Sequence, residues 1–167
     1  MYKIEYKLID YSGETDLKAK RMIEHNTAHA LLNKMLLDFN ISSPVFLKNE
    51  NGKPYIEGED VHFSISHTEG LALCVVADSP VGVDAELITG RDREYIEKFA
   101  NRYFVENEIK MLAESDFCEV VFLQIWTGKE ATIKKHGYNM SYVKKIDVTK
   151  ENIRFFNENG YIISINV

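Results

Sequence analysis

At 167 residues, 45% hydrophobic and 28% charged, the chain is long enough to bury the core of one domain, and no apolar run approaches the length that spans a bilayer. Its 26 acidic residues against 20 basic ones, a formal net charge of −6, argue against nonspecific nucleic-acid binding. Cys74 and Cys118 lie far apart without metal-ligand spacing, and residues 1–6 lack the apolar segment of a signal peptide, so free thiols and a cytoplasmic location are expected.

Along the chain, Tyr2, Ile4, Tyr6 and Leu8 alternate with polar residues, which predicts a strand over residues 2–9 with one buried face. Ala28, Leu31, Leu32, Met35 and Phe39 recur at helical spacing and predict a helix over residues 16–39. Its early turns are polar, with Lys18, Lys20, Arg21, Glu24 and His25, and reach past the core. A turn-rich section around Asn49-Glu50-Asn51-Gly52-Lys53-Pro54 follows. Strands are expected over residues 61–66 and 71–77, the second apolar throughout and therefore central. Asp78-Ser79-Pro80 turns the chain into another strand, residues 81–87. Helices are expected over 93–99, 106–113 and 119–136, the last stopped by Gly137. Short strands are expected over 144–148, 153–156 and 161–167, with Asn159-Gly160 closing a hairpin. The order of elements is α+β.

The chemistry concentrates in three segments. On the strand over 81–87, side chains alternate faces, so Asp84 and Glu86 project side by side from backbone positions roughly 7 Å apart. Two such carboxylates repel unless one is protonated or a cation lies between them, and oxygen-only ligands suit a hard cation such as magnesium. A solvated edge strand would show the same alternation; Gly82 beside the acids lets a ligand or a backbone approach. On the helix over 119–136, Glu130 and Lys134 share a face. Most Glu–Lys pairs at this spacing are exposed ion pairs contributing a few tenths of a kcal/mol. Here Val121, Phe122, Ile125, Trp126 and Ile133 tether the helix to the core, so Glu130 is placed to complete a metal site and Lys134 to meet a phosphate oxygen. Ser66-His67-Thr68 ends a strand before Gly70. A lone histidine is more often structural than functional, and Gly52-Lys53-Pro54 by itself is a turn.

Together these segments resemble the 4′-phosphopantetheinyl transferase superfamily, in particular its surfactin-synthetase-activating type. The resemblance lies in Gly52-Lys53-Pro54, Phe63-Ser64-Ile65-Ser66-His67-Thr68, Gly82-Val83-Asp84-Ala85-Glu86 and Trp126-Thr127-Gly128-Lys129-Glu130-Ala131-Thr132-Ile133-Lys134, in the family's order, with Arg102-Tyr103-Phe104 and Glu108 similar to a further stretch. It implies two similar α+β halves related by a pseudo-twofold axis, near residues 1–78 and 79–167, with the active site between them. It also implies transfer of the phosphopantetheine arm of coenzyme A to a serine of an apo acyl or peptidyl carrier protein, with adenosine 3′,5′-bisphosphate leaving. Carried over by position, Asp84, Glu86 and Glu130 hold Mg2+. Ser66 and His67 meet the coenzyme A phosphates, Gly52, Lys53 and Pro54 the adenosine end, and Lys134 the pyrophosphate. Glu130, directly or through a water, is the first choice for the base that takes the serine proton, and Glu108 the second. The chain departs from the family's pattern in a shortened first half, and in His29 where an arginine is common, for which Lys20 or Arg21 would substitute. Ser64 and Thr68 replace an asparagine and a serine. A monomer is expected, with neither nucleic acid nor membrane as partner. The alternatives are a coenzyme A-binding relative that has lost transfer, and a different magnesium-dependent enzyme such as a nucleotide pyrophosphohydrolase.

Overall fold

The computed structural model describes residues 1–167. The alternating N-terminal segment forms β1 (Tyr2–Leu8), and Asp16 caps α1 (Leu17–Leu37) by accepting the Ala19 N–H at 2.8 Å. A two-stranded ribbon of β2 (Phe46–Lys48) and β3 (Pro54–Ile56) precedes β4 (His62–Thr68) and β5 (Leu71–Ala77). The chain then runs through β6 (Gly82–Leu87), α2 (Arg93–Tyr103), α3 (Glu106–Glu114), α4 (Glu119–His136), β7 (Ile153–Glu158) and β8 (Tyr161–Asn166). Mixed helix and antiparallel sheet make the fold α+β.

Two three-stranded antiparallel sheets carry the architecture, in the orders β1-β5-β4 and β6-β8-β7. They share a connectivity: the first strand in the chain lies at one edge, the last in the centre and the penultimate at the other edge. The first sheet lies within residues 1–78 and the second within 79–167. Both central strands, β5 and β8, are buried along their whole length. Leu71, Leu73 and Val75 of β5 pack with Val83 and Ala85 of β6 and with Ile163 and Ile165 of β8, so the two sheets enclose one core between them. The outer face of the first sheet is covered by Leu32, Met35 and Leu36 of α1. Over the second lies a larger cluster from α2, α3 and α4, built on Ile96, Leu112, Phe122 and Ile125. The layers are therefore helix, sheet, sheet, helices. No helix is long and apolar enough to cross a membrane.

Several local expectations hold in detail. Gly137 ends α4 in the left-handed region at φ 67°, and Asn159-Gly160 turns β7 into β8 with both residues at positive φ, 54° and 83°. One expectation fails. Residues 144–148 form no strand; the segment is two 3₁₀ turns, Met140–Lys145 and Val148–Lys150. Asn139 and Asp147 start these turns by accepting the N–H groups of Ser141 and Thr149, and the segment's backbone groups are taken by buried side chains instead of by a neighbouring strand. The second helix also runs four residues past its expected end at 99, because Ala100 faces the core and the Phe104 N–H closes the last turn onto its carbonyl.

Candidate active site

The site begins with a glycine. A Cβ on Gly82 would lie 1.8 Å from the Ala131 carbonyl oxygen and 2.6 Å from the Lys135 nitrogen, so the absence of a side chain lets α4 press directly on β6. That contact brings Glu130 and Lys134 beside Asp84 and Glu86, which share the Gly82 face of β6. The approach allowed by Gly82 is that of a backbone.

Asp84 is the hub. Its Oδ1 accepts from Ser66 Oγ at 2.8 Å and from Lys134 Nζ at 2.8 Å, and Lys134 also donates to the Ile65 carbonyl at 3.3 Å. Because Ser66 and Ile65 lie on β4, this cluster joins the edges of the two sheets; nearby, Ser64 Oγ accepts the Val83 N–H at 3.1 Å. Lys134 therefore pairs across the fold with Asp84, in place of the helical i,i+4 partner Glu130. Glu86 faces Arg91 at 3.5 Å, and Arg91 is held by Glu119 at 2.8 Å and by the Leu87 carbonyl at 2.9 Å. Glu130 makes no ion pair. Burial, then the charge of Asp84, push its carboxyl up to about 7 against the opposing pull of Lys134. Burial and Asp84 likewise raise Glu86, with Arg91 and Lys134 acting against them.

These groups line one open cleft with His67 and Trp126. Two further pockets adjoin it. One, sharing Ile65 and Lys134, is bounded by Gly52, Lys53, Pro54 and Tyr138. Lys53 itself donates to the Lys135 carbonyl at the end of α4, and burial and the Lys135 charge lower its amine to about 8. The other pocket, sharing His67, is bounded by Tyr11, Lys20, Arg21 and Glu24. Asp84, Glu86, Glu130, Lys134, Ser66 and His67 are thus together, with the Gly52-Lys53-Pro54 turn next door and the basic start of α1 on the other side.

Glu108 is elsewhere and corrects the second choice of base. It is fully buried, its carboxylate paired with Lys129 at 2.7 Å and accepting the Val105 and Val148 N–H groups at 2.9 Å each. A carboxylate committed in this way, beneath α4, has no access to a substrate proton. Sequence reasoning missed Arg91 and the burial of Glu24. Nothing in the spacing of Arg91 points at Glu86, because a loop, not a helix or strand period, brings them together.

The donor set suits a hard divalent cation in kind: three carboxylates in one cleft, with Glu130 raised first by burial and then by the charge of Asp84. Their oxygens do not converge on a ready-made ion site, since no three acidic, histidine or cysteine side chains are gathered closely enough to hold an ion. Lys134 and Arg91 instead lie against one oxygen each of Asp84 and Glu86.

A family model, the 4′-phosphopantetheinyl transferase superfamily, matches residues 80–165, which is more than half of the chain and contains β6, α4 and all but the last residue of β8. The chain belongs to the 4′-phosphopantetheinyl transferase superfamily. Among curated members, 4′-phosphopantetheinyl transferase gsp of Aneurinibacillus migulanus is 39% identical over 98 residues, covering 58% of this chain and 39% of that protein. The psf-1 transferase of Bacillus pumilus is 33% identical over 99 residues, covering 59% and 42%. The 4′-phosphopantetheinyl transferase of Bacillus subtilis is 30% identical over 142 residues, covering 78% and 62%. This chain spans less than two thirds of the length of each of these superfamily members.

Proposed function

We propose that the chain transfers the 4′-phosphopantetheine arm of coenzyme A to a serine hydroxyl of an apo acyl or peptidyl carrier protein. The observation that carries this reading is the cleft itself: Asp84, Glu86, Glu130, Lys134, Ser66 and His67 line one opening between the two sheets, in a chain whose superfamily is named for the reaction.

The transfer is a phosphoryl displacement. The serine oxygen forms a bond to the phosphorus that carries pantetheine, the bond from that phosphorus to the bridging oxygen breaks, and adenosine 3′,5′-bisphosphate departs with the electron pair. Such a reaction asks the protein for positioning and for positive charge at the phosphoryl oxygens. Asp84, Glu86 and Glu130 would hold Mg2+, which when bound supplies that charge. Lys134 moves from Asp84 to the pyrophosphate, and His67 and Ser66 meet phosphate oxygens. The pocket beside Gly52, Lys53 and Pro54 takes the adenosine end. The serine proton goes to Glu130, directly or through a water, since it is the carboxylate of the cleft that no basic side chain of the protein pairs with.

Mass spectrometry of a panel of apo carrier proteins, incubated with the protein, magnesium and coenzyme A, tests the reading. At least one carrier is expected to gain the mass of phosphopantetheine on its serine. Calorimetric binding of coenzyme A with no carrier ever modified would instead mark a binding module that has lost transfer. Phosphate products from coenzyme A without any carrier would mark a hydrolase.

A further inference from the structure

The transfer reading leaves Glu24 unused, yet this carboxylate is buried at 5% exposure beside the cleft. Both of its oxygens are engaged. Oε1 accepts from the Tyr11 hydroxyl, and Oε2 lies 3.3 Å from Nδ1 of His67. Tyr11 is itself braced, because its oxygen accepts the Gly70 N–H at 2.6 Å. Burial and the bond to Glu24 raise the Tyr11 phenol to about 12, so it stays a donor. With Tyr11 donating to one carboxylate oxygen, the other faces Nδ1 as an acceptor, and Nδ1 must carry a hydrogen. Nε2 of His67 then has no partner within the protein. It is the ring's remaining polar atom, on a residue that borders both the carboxylate cleft and the pocket of Lys20 and Arg21.

We infer that Glu24, locked by Tyr11, is a positioning residue: it holds His67 by Nδ1 so that Nε2 is presented to an anionic oxygen of the phosphate-bearing substrate. The inference rests on the transfer reading for the identity of that substrate. A ring held in this way meets a phosphate oxygen with Nε2–H only as imidazolium, and the Glu24 carboxylate offsets that charge. The imidazole rings nearby are poor substitutes for Glu24. His25 packs edge-on against His67 with centroids 5.9 Å apart, and burial, then His25 and His67, disfavour the charged form of His29. The sequence hides the arrangement, since Tyr11, Glu24 and His67 come from a loop, a helix and a strand.

The test is Glu24→Gln, read in two ways. Glutamine keeps the shape, accepts from Tyr11 with its oxygen, and turns an NH2 toward His67, so Nδ1 must lose its hydrogen. Nitrogen-15 imidazole spectra, with His67 assigned from its disappearance in His67→Gln, are expected to show hydrogen-bearing Nδ1 in the wild type and bare Nδ1 in Glu24→Gln. Calorimetry with coenzyme A and magnesium is expected to show about tenfold weaker binding in Glu24→Gln, and little further loss when that change is added to His67→Gln. Tyr11→Phe, a milder change, is expected to weaken binding severalfold. A His67 ring unchanged in Glu24→Gln overturns the positioning. A changed ring with coenzyme A binding altered less than twofold overturns its relevance to the ligand. If the wild type binds no coenzyme A at all, the transfer reading and the ligand half of this inference fall together, while the ring spectra still decide the positioning half.

Discussion

Two lysines five residues apart on α4 each hold a carboxylate, at 2.7 Å for Lys129 with Glu108 and 2.8 Å for Lys134 with Asp84. The resemblance between the pairs ends there. Lys129 and Glu108 are fully buried, and each of their polar atoms is engaged: Lys129 also donates to the Val143 and Ile146 carbonyls, and Glu108 also accepts the Val105 and Val148 N–H groups. Lys134 is 30% exposed, and its carboxylate partner belongs to a crowd of three. The first pair is a strut that ties the loop after α4 to α3. The second is a partly exposed pair at the edge of a cleft that holds three carboxylates. Identical chemistry therefore serves structure or function according to whether packing closes over it.

The strongest way to break this comparison is to cut both pairs from the carboxylate side. Glu108→Ala leaves the Lys129 ammonium buried without its counter-charge and is expected to cost roughly 3–5 kcal/mol of stability, read from urea unfolding. That is a large fraction of the total for a domain of this size. Asp84→Ala should do the reverse. It removes one of three crowded acids, and Lys134 is open enough to rehydrate, so stability is expected to stay within about 1 kcal/mol of wild type. Carrier modification, in contrast, is expected to fall by about 10²–10³-fold. If the two variants lose stability equally, the division between strut and cleft collapses.

That division was not legible in the sequence, where Glu108 and Glu130 were both choices for a base. Helical spacing shows which residues share a face, but not which faces the rest of the chain covers. Glu108 is closed off by the 3₁₀ turns within residues 140–150, which replace the strand expected over 144–148 because distant side chains satisfy their backbone. What was legible depended on local rules. The unbroken apolar run of β5 marked a central strand, Gly137 marked the end of α4, and the alternation in β6 placed Asp84 and Glu86 on one face. The cleft residues were readable as types in a pattern, whereas the residues beside them, Arg91 and Glu24, have no pattern of their own.

Glu130 sharpens the comparison through pH. Its carboxyl is raised from 4.5 to about 7, so between those values the folded protein binds a proton that the unfolded chain has released. Stability contributed at this group is therefore greatest below about pH 4.5 and declines as pH rises to about 7. Glu130→Gln removes the ionisation. In buffer with a chelator it is expected to match wild type near pH 4.5 and to exceed it above pH 7 by on the order of 1–3 kcal/mol, after allowance for solvent screening. Added magnesium should narrow the gap by stabilising only the wild type. Melting curves across pH check both statements, and a gap that does not grow with pH would remove the crowding on which the proposed cation site depends.

The smallest effect is expected where the same spacing carries no function. Glu94 and Lys98 stand four apart on α2, as Glu130 and Lys134 do on α4, and they form the exposed pair at 2.6 Å that a Glu–Lys spacing ordinarily predicts. Their side chains are 77% and 75% exposed, so each charge is well hydrated whether or not its partner is present. Lys98→Ala is expected to move the melting temperature by no more than about 2 °C, and by less as salt is added, because water solvates both charges and salt weakens the attraction that remains. Lys134→Ala has the same spacing and the same atoms removed, yet it strips Asp84 of its counter-charge inside the cleft, and coenzyme A binding is expected to weaken about tenfold or more. Equal, negligible consequences in the two variants would mean that α4 carries an ordinary surface pair, and that its approach to β6 over Gly82 has only a packing purpose.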